Sequence, residues 1–141
     1  MKRVREVMTT NVDYCTPLDN VFEVAVKMRD LNVGAVPIVE NGRLIGMITD
    51  RDLVVRGIAE KRPGSSQVTD VMSKEIVAIS PDASVEEAAE QMAKHQIRRL
   101  PVIENDRLVG IVSLGDLATY QYSDESAGRA LSAISEQHPF H

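Results

Sequence analysis

The sequence predicts an α+β fold built from one β-α-β-β-α unit used twice, with the two copies packed sheet to sheet about a pseudo-two-fold axis and a short helix after them. Three observations carry this: a long gapless internal repeat, a hairpin signal in each copy, and a capped amphipathic helix ahead of each hairpin. The expected boundaries are a first repeat over 1–58, a linker over 59–67, a second repeat over 68–121 and a helical tail over 122–141. One copy of about 50 residues is marginal alone, so the repeats are expected to share a core as one compact module.

The repeat is the firmest of the three. Displacing the chain by 64 positions aligns Val4 with Val68 and continues without a gap to Leu53 with Leu117. Val7-Met8 meets Val71-Met72, Pro17 meets Pro81, Met28 meets Met92, Pro37 meets Pro101, Gly46 meets Gly110, and Asp52-Leu53 meets Asp116-Leu117. About a third of the aligned pairs are identical, against about one in twenty by chance. Between the copies, KRPGSSQ has the Pro/Gly/Ser composition of a linker.

Each element follows from local chemistry. A short extended piece opens each copy, Val12 to Thr16 and Ile76 to Ser80, stopped by Pro17 and Pro81. A helix comes next. Ser84 with Glu87 fits a capping box and Asn20 with Glu23 approximates one. Val21, Val24, Ala25, Met28 and Leu31 share one helical face, as do Val85, Ala88, Ala89 and Met92. Two apolar, β-branched runs follow, joined by Asn41-Gly42, a pair that accepts the positive φ of a type I′ turn; Asn105-Asp106 is the weaker copy. Pro37 and Pro101 cannot donate to a ladder, so their strand should be an edge there or begin pairing only after them. A second helix from about Asp50 and about Leu114 closes each copy. In the tail, Ala127, Ala130, Leu131 and Ile134 fall at helical spacing after Ser123 or Asp124.

Composition narrows the function classes. The net charge of −5 argues against a nucleic-acid binder driven by bulk electrostatics, and the basic start Lys2, Arg3, Arg5 reads as a solvated terminus. No apolar stretch is long enough to span a bilayer, and MKRVREVM lacks the apolar core of a secretory signal, so a cytoplasmic location is expected. Cys15 is alone, which leaves no internal disulfide and no CxxC pair. His95 has no second His or Cys at ligand spacing, and the Met8/Met72 and Met28/Met92 pairs read as core filling, so no metal site is expected. A P-loop, a nucleophile elbow and HExxH are all missing from the sequence, and no catalytic residue is assigned.

What remains is the doubled end of the second strand, GMITDRDL and GIVSLGDL, each with a hydroxyl followed three residues later by an acid. This spacing has a structural reading: Thr49 or Ser113 caps the next helix and Asp52 or Asp116 reaches back to its amide, worth about 1 kcal/mol with no ligand involved. It has a binding reading too. Free amides at a helix start suit a phosphate, and an aspartate beside them accepts hydrogen bonds from vicinal sugar hydroxyls.

The combination of VxxVM, then TP or SP, the helix, GAVPIVE or RRLPVIE, and GMITDRDL or GIVSLGDL resembles a tandem pair of CBS domains, the Bateman module, over about residues 4 to 120. It is most similar to small stand-alone bacterial proteins made of little besides the pair. The resemblance implies clefts between the repeats that hold adenosine-containing ligands such as AMP, ADP, ATP or S-adenosylmethionine, with no cofactor required. Asp52 and Asp116 would hold the ribose hydroxyls, and Thr49 and Ser113 would contact ribose or phosphate. Met47 and Ile111 would help sandwich the adenine. Val33, Gly34 and Ala35 in one copy, and Ile97, Arg98 and Arg99 in the other, would line the pocket, with contributions from Thr10 to Val12 and Lys74 to Ile76.

The copies are unequal. His95, Arg98 and Arg99 stand where the first copy has Leu31, Gly34 and Ala35, and basic residues there match phosphate contacts in the family. Arg51 and Arg56 are further basic candidates in the first copy. Gly115 departs from the pattern, standing where some nucleotide-binding repeats have another hydroxyl. The expected function is a regulatory module that senses an adenosine ligand and signals to an effector protein, assembled as a homodimer. The alternative is a structural or oligomerising module with no functional ligand.

Overall fold

A computed structural model of the chain describes residues 2–119. The helix expected in the tail over 122–141 lies outside the described residues. The fold is α+β. In chain order it runs α1 (Val4–Val7), α2 (Val21–Leu31), β1 (Ala35–Glu40), β2 (Arg43–Thr49), α3 (Asp50–Asp52), α4 (Val85–His95), β3 (Arg99–Glu104), β4 (Arg107–Ser113) and α5 (Leu114–Ala118). A π-helical turn, Leu53–Gly57, and a 3-10 turn, Ile58–Glu60, follow α3, and a second 3-10 turn spans Val68–Asp70.

The two hairpins form as the turn chemistry requires. Asn41 and Gly42 have φ of 54° and 81°, and Asn105 and Asp106 have 53° and 65°. Both central residues of each turn are therefore left-handed, the type I′ signature. In both hairpins the register slips by one residue, between Ile38 and Val39 and between Val102 and Ile103, so the bulge is duplicated with the sequence. The long helices α2 and α4 start on Asn20 and Ser84. Asn20 and Glu23 complete a reciprocal box, with bonds of 2.9 and 3.2 Å. Ser84 makes one half of it, accepting from the Glu87 amide at 3.1 Å. The better consensus pair thus forms the lesser cap. Both helices end on a left-handed residue, Asn32 and Gln96. Val33 and Ile97 then donate back to the carbonyls of Met28 and Met92, a Schellman-type closure that turns the chain sharply into the next strand.

The expected opening strands are shorter than the sequence suggests. Val12 to Thr16 pairs only through Cys15, and Ile76 to Ser80 only through Ile79, each as a single parallel bridge to β1 or β3. The prolines explain the limit. A strand residue points its N–H and C=O to the same side. The Pro37 carbonyl accepts from Cys15 N–H at 3.0 Å, so the missing Pro37 N–H would have faced that same neighbour. Pairing on that side begins with the proline's own carbonyl and continues with Val39 N–H to Cys15 O at 2.8 Å. Pro101, Ile79 and Ile103 repeat the arrangement. On its other side Pro37 stands opposite Met47, whose own N–H and C=O bond to Ser73 instead, so β2 loses nothing.

The described chain forms two compact units whose limits cut across the sequence repeats. One runs from Asp13 to Ile76; the other joins the residues up to Val12 to those from Val77 onward. The segment that opens each repeat has left its own repeat for the other. Val4 N–H bonds to Ala83 O, Val85 N–H to Lys2 O, and Thr9 and Ile111 exchange two bonds of 2.8 and 2.9 Å. In the other unit Val21 N–H bonds to Ser66 O, Val68 N–H to Asp19 O, and Met47 and Ser73 exchange bonds of 2.9 and 2.8 Å. The end of the KRPGSSQ stretch therefore supplies carbonyls to the first turn of α2. Side chains follow the backbone. Val4 and Val7 join the core formed by Val85, Ala88, Met92, Leu100, Val102, Val112 and Leu117. Val68, Val71 and Met72 join Val24, Met28, Val36, Ile38 and Ile48. Leu31, expected on the buried face of α2, is 42% exposed at the helix end. Arg5 adds ion pairs to Asp82 (3.3 Å) and Glu104 (2.8 Å), and these contacts raise its already high pKa.

The duplicated glycines belong to this exchange. A Cβ on Gly46 would lie 2.5 Å from Met72 Sδ and 3.0 Å from Ser73 O; one on Gly110 would lie 2.7 Å from Met8 Sδ and 2.9 Å from Thr9 O. The methionine can move, but the backbone carbonyl is held by its own ladder. Gly46→Ala and Gly110→Ala are each expected to cost about 1–3 kcal/mol, read from urea unfolding. Pairing Gly46→Ala with Met72→Ala is expected to recover only part of the loss.

Candidate functional site

Thr49 and Ser113 are the last residues of β2 and β4 and also the N-caps of α3 and α5. Each has extended backbone, φ −112° and −110°, which lets the side chain fold over the helix start. Asp52 N–H donates to Thr49 Oγ1 at 3.0 Å, and Thr49 N–H donates to Asp52 Oδ2 at 3.0 Å. Ser113 and Asp116 reproduce both bonds at 3.0 and 2.8 Å. The capping geometry is thus complete in both copies. It consumes one carboxylate oxygen and leaves Oδ1 of each acid outside the box. Both acids are half-buried.

The loops ahead of β1 and β3 are brought against these boxes. Asp50 N–H donates to Gly34 O at 3.0 Å, and Leu114 N–H donates to Arg98 O at 2.8 Å. Ala35 stands opposite Thr49 and Arg99 opposite Ser113 in the hairpin registers. Val33, Ala35 and Ile97 are half-buried, while Gly34, Arg98 and Arg99 are exposed. Met47 and Ile111 are half-buried and bond through their backbones to Ser73 and Thr9. The segment exchange decides which candidates meet. Ser73 bonds to Met47, and Lys74 to Ile76 follow it within the same unit as Thr49 and Asp52. Thr9 bonds to Ile111, and Thr10 to Val12 follow it within the same unit as Ser113 and Asp116. No local signal in the sequence gives this pairing, because the exchanged segments bond mainly through backbone atoms.

The charges differ between the groups. Arg56 Nε lies 3.8 Å from Asp52 Oδ1, and Arg56 Nη1 donates to Met72 O at 3.1 Å. Arg98 and Arg99 have no ion pair among the described residues. Arg51 and His95 are exposed. Asp50, which the sequence reading left aside, sits beside Gly34: a Cβ there would lie 3.2 Å from Asp50 Oδ2. Arg98 occupies the aligned place in the second copy, where Leu114 replaces that acid. Cys15 is buried, and burial pushes its thiol up to about 11, so it stays protonated and unreactive at neutral pH. Among the described residues, no three His, Cys, Asp or Glu side chains are grouped to hold a metal ion, and no helix is long and apolar enough to cross a membrane.

A family model described as the CBS domain matches residues 4–57 and again 68–123, the two copies of the repeat. The chain belongs to the CBS-domain family. The CBS pair is a regulatory module. Among its relatives is the Bacillus subtilis protein YlbB, 54% identical over 138 residues, covering 96% of this chain and 93% of YlbB. Its fold is similar to a crystal structure of Hypoxic Response Protein I with two coordinated zinc ions: TM-score 0.76, 36% identity, 84% of this chain and 98% of that one. It is also similar to the CBS pair of protein MJ0100, solved with 5-methylthioadenosine and S-adenosyl-L-methionine. There the TM-score is 0.73 and the identity 24%, over 84% of this chain and 94% of the other, which makes the likeness one of fold.

Proposed function

We propose that this CBS pair is a sensor that binds an adenosine-containing ligand through Asp52 and Asp116 and passes its occupancy to a partner protein. The observation that carries the reading is the doubled hydroxyl–acid box, in which each carboxylate keeps one oxygen outside the cap. A half-buried carboxylate with a spare oxygen suits the vicinal hydroxyls of a ribose. Met47 and Ile111, two residues before each cap, offer apolar surface to a purine. Arg98 and Arg99, exposed and without ion pairs among the described residues, offer donors to a phosphate. That the same fold holds adenosine derivatives in the MJ0100 pair agrees with this chemistry. Signalling requires the ligand to favour one of two states of the module, because equal affinity for both shifts nothing. An effector protein and a homodimer belong to the same proposal; Leu18 and Phe22, 95% and 64% exposed, would give a protein partner apolar surface.

The completeness of the caps favours a second reading, a structural module in which the acids only hold helix starts. Thermal unfolding with adenosine, AMP, ADP, ATP and S-adenosylmethionine separates the two. A ligand at a hundred times its dissociation constant is expected to add about 2.7 kcal/mol of stability. No shift with any of the five would leave the structural module.

A further inference from the structure

We infer that Arg56 makes the Asp52 half of the site selective for phosphate-bearing over phosphate-free adenosine ligands. This rests on the adenosine reading above. A bare Asp52 carboxylate, where an anionic ligand would have to come, would repel phosphate. Its side chain is 16% exposed, so solvent screens that charge poorly. Arg56 lies four residues on, with Nε 3.8 Å from Oδ1, at a distance that balances the charge without closing a hydrogen bond on the oxygen a ribose would use. The second anchor is independent: Nη1 donates to Met72 O at 3.1 Å. Met72 belongs to the exchanged segment and precedes Ser73, the backbone partner of Met47. The guanidinium is thereby held between the helical turn that follows the acid and the segment whose Ser73 bonds to the apolar Met47. With 53% of its side chain exposed, its remaining N–H groups stay open to a ligand. The half-site around Asp116 is built differently. In sequence its aligned residue is Tyr120, and its basic groups are Arg98, just before β3, and Arg99, the first residue of that strand.

The test is calorimetric titration of adenosine and AMP into the Asp116→Ala chain, which isolates the Asp52 half-site, with and without a further change at Arg56. Arg56→Gln is expected to weaken AMP by roughly 10–100-fold, the scale of a charge-assisted hydrogen bond, and adenosine by less than about 3-fold. Arg56→Lys, which keeps the charge but not the fork, is expected to retain part of the AMP affinity. Equal weakening of both ligands would overturn the inference, because Arg56 would then only be holding Asp52 in place. Unchanged binding of both would overturn it as well. If the Asp116→Ala chain with Arg56 intact binds neither ligand while remaining folded, the adenosine reading of this half-site falls, and the selectivity falls with it.

Discussion

A chain shortened to begin at Thr10 is expected to lose on the order of 5 kcal/mol of stability, and to lose it in the second repeat rather than the first. The reason is the exchange of opening segments. Val4 is fully buried and Val7 is 8% exposed, both within the core that contains Val85, Met92 and Leu100. Burying a valine is worth about 1.5–3 kcal/mol. The same deletion removes the acceptor of Val85 N–H and both bonds between Thr9 and Ile111. Against a typical total of about 5–15 kcal/mol, that loss leaves little. Urea unfolding reads the magnitude, and amide exchange reads the place. Protection is expected to fall first at Val85 and Ile111, before Val21 and Met47. A fall that begins at Val21 and Met47 would mean that the segment serves its own repeat.

This exchange was also where the sequence was least legible. The hairpins could be read because Asn41-Gly42 dictates its own backbone, and the helices because Val24, Met28, Val85 and Met92 keep a helical period. Those signals are local. The partner of Val4 or Met72 is set by packing between segments far apart in the chain, and an internal repeat looks the same whether its copies keep or trade their opening segments. Only the doubled Met–Gly correspondence hints at it: Met8 lies over Gly110, and Met72 over Gly46. The opening strands shrank to single bridges for a related reason, since the N–H that would extend them is missing from Pro37 and Pro101.

Asp52→Ala and Asp116→Ala carry the second large expected effect. Each removes the acceptor for the N-cap amide, Thr49 N–H or Ser113 N–H, and should cost about 1 kcal/mol of stability. Each also removes the proposed ribose acceptor and should weaken ligand binding at its own half-site by roughly 10–100-fold, the equivalent of about 1.5–3 kcal/mol. The two losses are read separately, by unfolding and by titration. The hydroxyl–acid pattern was legible in the sequence because both of its readings depend on the same three-residue spacing. For that reason the spacing could not choose between them. The neighbours were only partly legible. Gly34 and Arg98 bond to the helix starts through backbone carbonyls, which carry no trace in residue type, and the Arg56 anchor on Met72 depends on the exchange.

The sharpest test keeps the cap and moves only the carboxylate. Asp52→Glu with Asp116→Glu retains an acid at the third helical position, where glutamate completes a capping box, but displaces the charged oxygens by one methylene. Unfolding of this double variant in urea, followed with and without an adenosine ligand that stabilises the parent chain, is the direct measurement. The ligand-free stability is expected to stay within about 0.5 kcal/mol of the parent while the ligand-induced gain disappears. A gain that survives at full size would contradict a ribose held by these two acids.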